Sequence, residues 1–200
     1  VKQDFKIGGV NSRESIESII HINGLSIKEI EARMRPGVMS QTPSLKAKDK
    51  PAGFLTNEES LIQVLINDND YVLGQGFTHQ QLAQWLFDVM AEYEKGKEEF
   101  EYNGMQLKVS YLGTKGFQLC PFGGEYSSSG EFTITNVTKG ISVDKVTQLH
   151  PYFIRDYGFY EGPGVSYRVE PVDIIAVFTQ SLSSSPALSE DSFHPSSIQR

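Results

Sequence analysis

The chain has 200 residues, 38% of them hydrophobic and 22% charged, with a formal net charge of −7. That is enough chain to bury a sizeable core without disulfides or metals, in the proportions of a soluble globular protein. It holds no apolar run of the roughly 18 residues that a transmembrane helix needs, and its acidity argues against a phosphate-neutralising, nucleic-acid-binding surface.

Residues 1–10 read as an extended lead-in ending at Gly8-Gly9, followed by two short helices. Asn11 is placed to cap the first, with Glu14 three positions on, and Ile16, Ile19 and Ile20 form its apolar stripe before Asn23-Gly24 stops it. Ser26 and Glu29 have capping-box spacing for the second, in which Ile27, Ile30 and Met34 share a face before Pro36-Gly37. Two helices joined by a short turn have the outline of half a helix-turn-helix. The basic three-helix core of such a module is missing, so an αα-hairpin packed on the body is the preferred reading. Residues 38–53, polar and carrying Lys46, Lys48 and Lys50, read as a linker or loop that sets this hairpin (1–37) apart from a main domain at 54–179.

A second capping box, Thr56 with Glu59, predicts a helix through Leu61, Leu65 and Ile66 that ends at Asn67–Asp70. A third, Thr78 with Gln81, predicts the longest helix, to about Lys95. Leu82, Trp85, Leu86, Val89, Met90 and Tyr93 fall on one face of it. The densest strand signal follows. Phe100 and Tyr102 alternate with Glu99 and Glu101, and Met105, Leu107, Val109 and Tyr111 alternate with polar residues. Asn103-Gly104 between the two runs fits a type I′ hairpin turn. A third strand is expected at Phe117–Cys120, and a second hairpin at Glu131–Val137 and Ile141–Val143. Asp144–Leu149 reads as helical. A helix around Tyr152–Tyr157, a short strand at Ser166–Val169, a last helix from Pro171 and a disordered tail at 180–200 complete the chain. The fold class is α+β: an antiparallel sheet of about five strands, covered on one face by helices, with a small N-terminal helical hairpin.

Two groups of residues could carry function. Cys120, the single cysteine, ends a strand before a glycine-rich loop, and His150 near a helix break could serve as its base, oriented by Asp156 or Asp144. The order Cys, His, Asp occurs in thiol hydrolases, but the local signature of the papain-like pattern is absent, and an inert half-buried thiol is the simpler reading. The second group is Tyr152, Arg155, Tyr157, Tyr160, Glu161, Tyr167 and Arg168 around Gly162-Pro163-Gly164. Tyr and Arg are the residue types of binding hot spots. The competing structural role for them is to anchor the last helix with their hydroxyls at the rim.

Gly74 and Gly76 lack the third glycine of a dinucleotide fingerprint, no phosphate-loop motif is present, and the four histidines have no metal-ligand spacing. Neither metal nor cofactor is expected. The amino end does not read as a signal peptide, and it lacks an initiator Met, as a processed chain would. One cysteine suits a reducing, cytoplasmic setting, and the alternative is a bacterial effector exported by its C-terminus. The expected function is a protein- or peptide-binding module, with a cysteine-dependent hydrolase or transferase using Cys120 and His150 as the alternative.

Overall fold

The computed structural model describes residues 12–39, 53–123 and 127–180, and only the backbone at 114–117 and 127–129. The expected cap at Asn11, the glycine pair at 8–9, most of the 38–53 segment and the 181–200 tail lie outside the described residues.

The architecture is α+β. A four-stranded antiparallel sheet runs β3 (Glu99–Tyr102), β4 (Met105–Leu119), β5 (Ser127–Asn136), β6 (Ile141–Thr147) in spatial order. Asn103 and Gly104 take φ values of 49° and 74°, which sets Tyr102 opposite Met105. That register turns Phe100, Met105, Leu107 and Val109 inward. Helix α4 (His79–Glu94) lays Leu82, Leu86, Val89 and Met90 on this face, and α6 (Pro171–Phe178) adds Ile174, Val177 and Phe178. Trp85 packs in the same layer, stacked on Phe178 at 5.4 Å and edge-on to Phe77 at 5.4 Å.

A second core lies beside the first. Around it are α1 (Arg13–Glu17), a small hairpin of β1 (His21–Ile22) and β2 (Leu25–Ser26), α2 (Ile27–Met34), α3 (Leu61–Gly74) and α5 (His150–Tyr157). Ile16, Ile22, Ile30 and Met34 meet Phe54, Leu61 and Leu65, and Phe122 from beyond the end of β4 completes the cluster with Phe153, Tyr157 and Phe159. Strand β4 therefore carries the chain from one core to the other.

The capping boxes at Ser26/Glu29 and Thr78/Gln81 form as their spacing predicts. Several expectations are corrected. Met105–Tyr111 and Phe117–Leu119 are not separate strands but parts of the 15-residue β4, which tolerates a register shift between Gly113 and Gln118 and ends one residue before Cys120. Asn23-Gly24 does not merely stop a helix: with φ of 51° and 77° it turns β1 into β2. Ser12, not Asn11, caps α1. Glu59 does accept the Thr56 N–H at 2.7 Å, yet α3 starts only at Leu61, whose N–H is taken by Glu31. Helix α3 does not end at Asn67–Asp70 but runs to Gly74, because Asp68 and Asn69 face inward and find partners there. Asp144–Thr147 is strand rather than helix. Lys145 sits at φ 58° in a bulge, and the extra residue spaces the inward Val143 and Val146 by three, which imitates a helical period. Ser166–Val169 lies in turns and irregular chain, not in a strand.

Candidate functional site

The proposed cysteine site does not assemble. Cys120 is 5% exposed and bonds the backbone of Phe122; burial, with the nearby charge of Asp156 added, pushes its thiol up to about 11. His150 is fully buried. Its Nδ1 accepts the Thr147 N–H at 2.8 Å and lies 3.0 Å from the Thr147 hydroxyl, while Nε2 makes no hydrogen bond. Neither ring nitrogen reaches Cys120 or Asp156. Burial drives the imidazole down to about 3, against an opposing pull from the backbone at Tyr167 and Thr147, so His150 is neutral at physiological pH. Asp156 holds Arg155 in a two-pronged ion pair at 2.7 and 2.9 Å. Asp144, its substitute in the sequence reading, is exposed on β6.

The tyrosine–arginine group divides in two. Tyr157, Tyr160 and Arg168 face inward. Tyr157 stacks on Phe122 at 3.9 Å, and its hydroxyl accepts from Asn23 at 2.8 Å. Tyr160 bonds His79 Nδ1 at 2.9 Å, and His79 Nε2 meets Asn69 Oδ1 at 3.2 Å. Arg168 grips Asp68 with two nitrogens at 2.7 and 3.1 Å, donates to Glu170 at 2.7 Å and caps the Glu161 carbonyl at 2.6 Å.

The outward half is small and ordered. Tyr152 and Phe87 meet edge-to-face at 5.0 Å, and the Arg155 guanidinium lies 5.2 Å from the first ring and 5.5 Å from the second. The Arg155 side chain is 39% exposed. Asp156 fixes its planar fork from the same helix, so a guanidinium and two rings stand half-open at the junction of α4 and α5. Tyr167 is also partly exposed, with its hydroxyl toward Glu131. Phe87 escaped the sequence reading because it lies off the main apolar stripe of α4. An aromatic residue on the flank of an amphipathic helix was the available signal.

No family model, curated protein or solved structure matches this chain. Site assignment therefore rests on geometry. Among the described residues no group of three or more His, Cys, Asp or Glu side chains could hold a metal ion, and no helix is long and apolar enough to cross a membrane.

The glycine-rich stretch serves packing. Glu59 accepts the Gly164 N–H at 2.7 Å, and its carboxylate occupies the space that a Cβ on Gly162 would need. The buried centre beneath this stretch holds one unexpected group. Glu161 is fully buried at φ 69°; neither carboxyl oxygen has a hydrogen bond, and Oε1 stands 3.5 Å from His150 Nε2. Burial raises its carboxyl well above the ordinary range, against the pull of Arg168.

Proposed function

We propose that the protein is a protein- or peptide-binding module whose contact surface is centred on Tyr152, Arg155 and Phe87. The observation that carries this reading is the half-exposed guanidinium held over two rings and locked from behind by Asp156. Such a group offers stacking area while losing little side-chain freedom on contact, which lowers the cost of association. Trp, Tyr and Arg dominate the energetics of interfaces for the same reason. Tyr160 and Arg168, which the sequence grouped with this surface, are assigned to its support instead. The alternative, a thiol-dependent hydrolase or transferase, needs a thiolate beside a base. Cys120 has neither a lowered pKa nor an imidazole within bonding distance.

The test is selection of a displayed peptide library on the folded protein, followed by calorimetric titration of the enriched sequences. Tyr152→Ala and Arg155→Ala should each weaken binding about tenfold or more, roughly 1.4 kcal/mol, and Cys120→Ser should leave it unchanged. Enriched peptides that bind both variants as well as the parent, or no enrichment over unfolded protein, would reject the assignment. A cytoplasmic location, with C-terminal export as the alternative, rests on composition alone. Scoring secretion before and after deletion of residues 180–200 separates the two.

A further inference from the structure

We propose that residues 158–170 form a pH-sensitive latch, closed around a single proton shared by His150 and Glu161 and released as the solution becomes alkaline. The geometry comes first. Both side chains are fully buried, they face each other at 3.5 Å, and neither facing atom makes a hydrogen bond of ordinary length, although the Tyr167 backbone also lies against the imidazole. With two protons the pair would be a buried cation, and with none a buried carboxylate. Either leaves an uncompensated charge in a dry site, whereas one proton makes the pair neutral wherever it sits. The opposed pKa shifts of the two groups put it on Glu161.

Opening changes that count. In water an imidazole titrates near about 6.5 and a Glu carboxyl near about 4.3. Above the first value the open pair holds no proton, so closing takes one from solvent. Closure then weakens by up to about tenfold for each pH unit, for as long as the closed pair keeps its proton. Between the two values open and closed pairs each hold one proton, and the pair is indifferent to pH.

The segment is bounded by a turn residue at each end. Gly158 ends α5 in the left-handed conformation, and Pro171 starts α6. Glu161 occupies a backbone well that non-glycine residues enter only when their surroundings enforce it. The closed form is held to the body by Gly162 N–H to Phe54 O at 2.8 Å, Gly164 N–H to Glu59 at 2.7 Å, Tyr160 to His79, Lys145 to Ser166 O and the Arg168–Asp68 ion pair, while Val169 N–H to Tyr160 O at 3.2 Å ties the segment to itself.

The other ionisable groups around the segment are Asp68 on α3, His79 on α4, Glu131 on β5, Lys145 on β6, Glu59 before α3, and Tyr160, Tyr167, Arg168 and Glu170 within it. Asp68 and Glu170 both hold the Arg168 guanidinium and neutralise it in part. Lys145 and Glu59 hold backbone groups. His79, neutral in the fold down to about 4, adds a slope of opposite sign below about 6.5. The latch is therefore tightest near that pH.

Amide hydrogen exchange on the full chain between pH 6 and 9, corrected for intrinsic rates, tests this. The protection factors of Gly162 and Gly164 should fall by up to about tenfold per pH unit above about 6.5. They should stay below those of Leu86 and Val89 in α4 at every pH, which marks local opening. Glu161→Gln, which keeps its amide hydrogens throughout, should flatten the slope. A flat slope in the parent protein, an unchanged slope in the variant, or equal protection in the latch and in α4 would each overturn the proposal. If the variant does not fold, the slope of the parent protein and the comparison with α4 decide the matter alone.

Discussion

Arg168→Met separates support from contact surface most sharply. Arg168 and Asp68 are 8% and 7% exposed, and two of the four hydrogen bonds of the guanidinium go to that one carboxylate. Methionine keeps much of the volume and none of the donors. What remains is an uncompensated carboxylate in the core and an uncapped carbonyl at Glu161. Removing one partner of a buried pair costs about 3–5 kcal/mol, against a total stability of about 5–15 kcal/mol for a domain. For a chain of this size the melting temperature should fall by roughly 6–20 °C.

The pH dependence carries a sign. Burial already raises the Asp68 carboxyl despite Arg168, and without the guanidinium nothing opposes that rise. A group whose folded pKa lies above its unfolded value contributes stability below the unfolded pKa and loses it as pH climbs through the folded one. Glu161, which also loses the pull of Arg168, moves the same way. The deficit of Arg168→Met should therefore be largest at pH 7 and shrink toward pH 4.5. Urea denaturation of parent and variant at both values measures it, and Asp68→Asn with Arg168→Met should cost less than the two single changes summed. A deficit below about 1 kcal/mol at pH 7, the size of an exposed pair, would refute the reasoning, as would a deficit that grows on acidification.

Two further outcomes follow from local geometry. Iodoacetamide should label Cys120 slowly in the native protein, with the rate still rising at pH 9. Rapid labelling with a midpoint below the ordinary thiol value of about 8.5 would contradict the buried, raised thiol. Gly158→Ala places a Cβ 2.8 Å from His79 Nε2 on a residue held at φ 64°, so it should destabilise the fold by more than the roughly 1 kcal/mol of left-handed backbone strain alone. Denaturant titration that finds it neutral would show that His79 yields freely.

Much of the fold was legible because the signals are local. Asn103-Gly104 and the boxes at Ser26/Glu29 and Thr78/Gln81 work through residues at most three apart, and each formed as expected. The errors occur where a distant partner decides. Asp68 and Asn69 look like the polar end of a helix until Arg168 and His79 are brought against them. Val143 and Val146 look helical until a bulge is placed between them. The site was legible in composition but not in direction: Tyr152 and Arg155 point outward, Tyr157, Tyr160 and Arg168 inward, and no periodic pattern in an irregular segment reveals which. Gly162 leaves room for Glu59 and Gly164 for Thr56, which the sequence alone does not show.

The second core also constrains the order in which this chain can fold. Its roof comes from Leu149, Phe153, Tyr157 and Phe159, whereas its floor is complete by Ile66. The bonds that close it span long stretches of chain, from Asn23 to Tyr157 and from Glu59 to Gly164. At roughly 5–20 residues per second of synthesis, the first third of the molecule waits about 5–20 seconds with its isoleucines uncovered. Such non-local closure folds slowly and leaves apolar surface open to association. During biosynthesis this half of the protein is the part that a chaperone would be expected to hold.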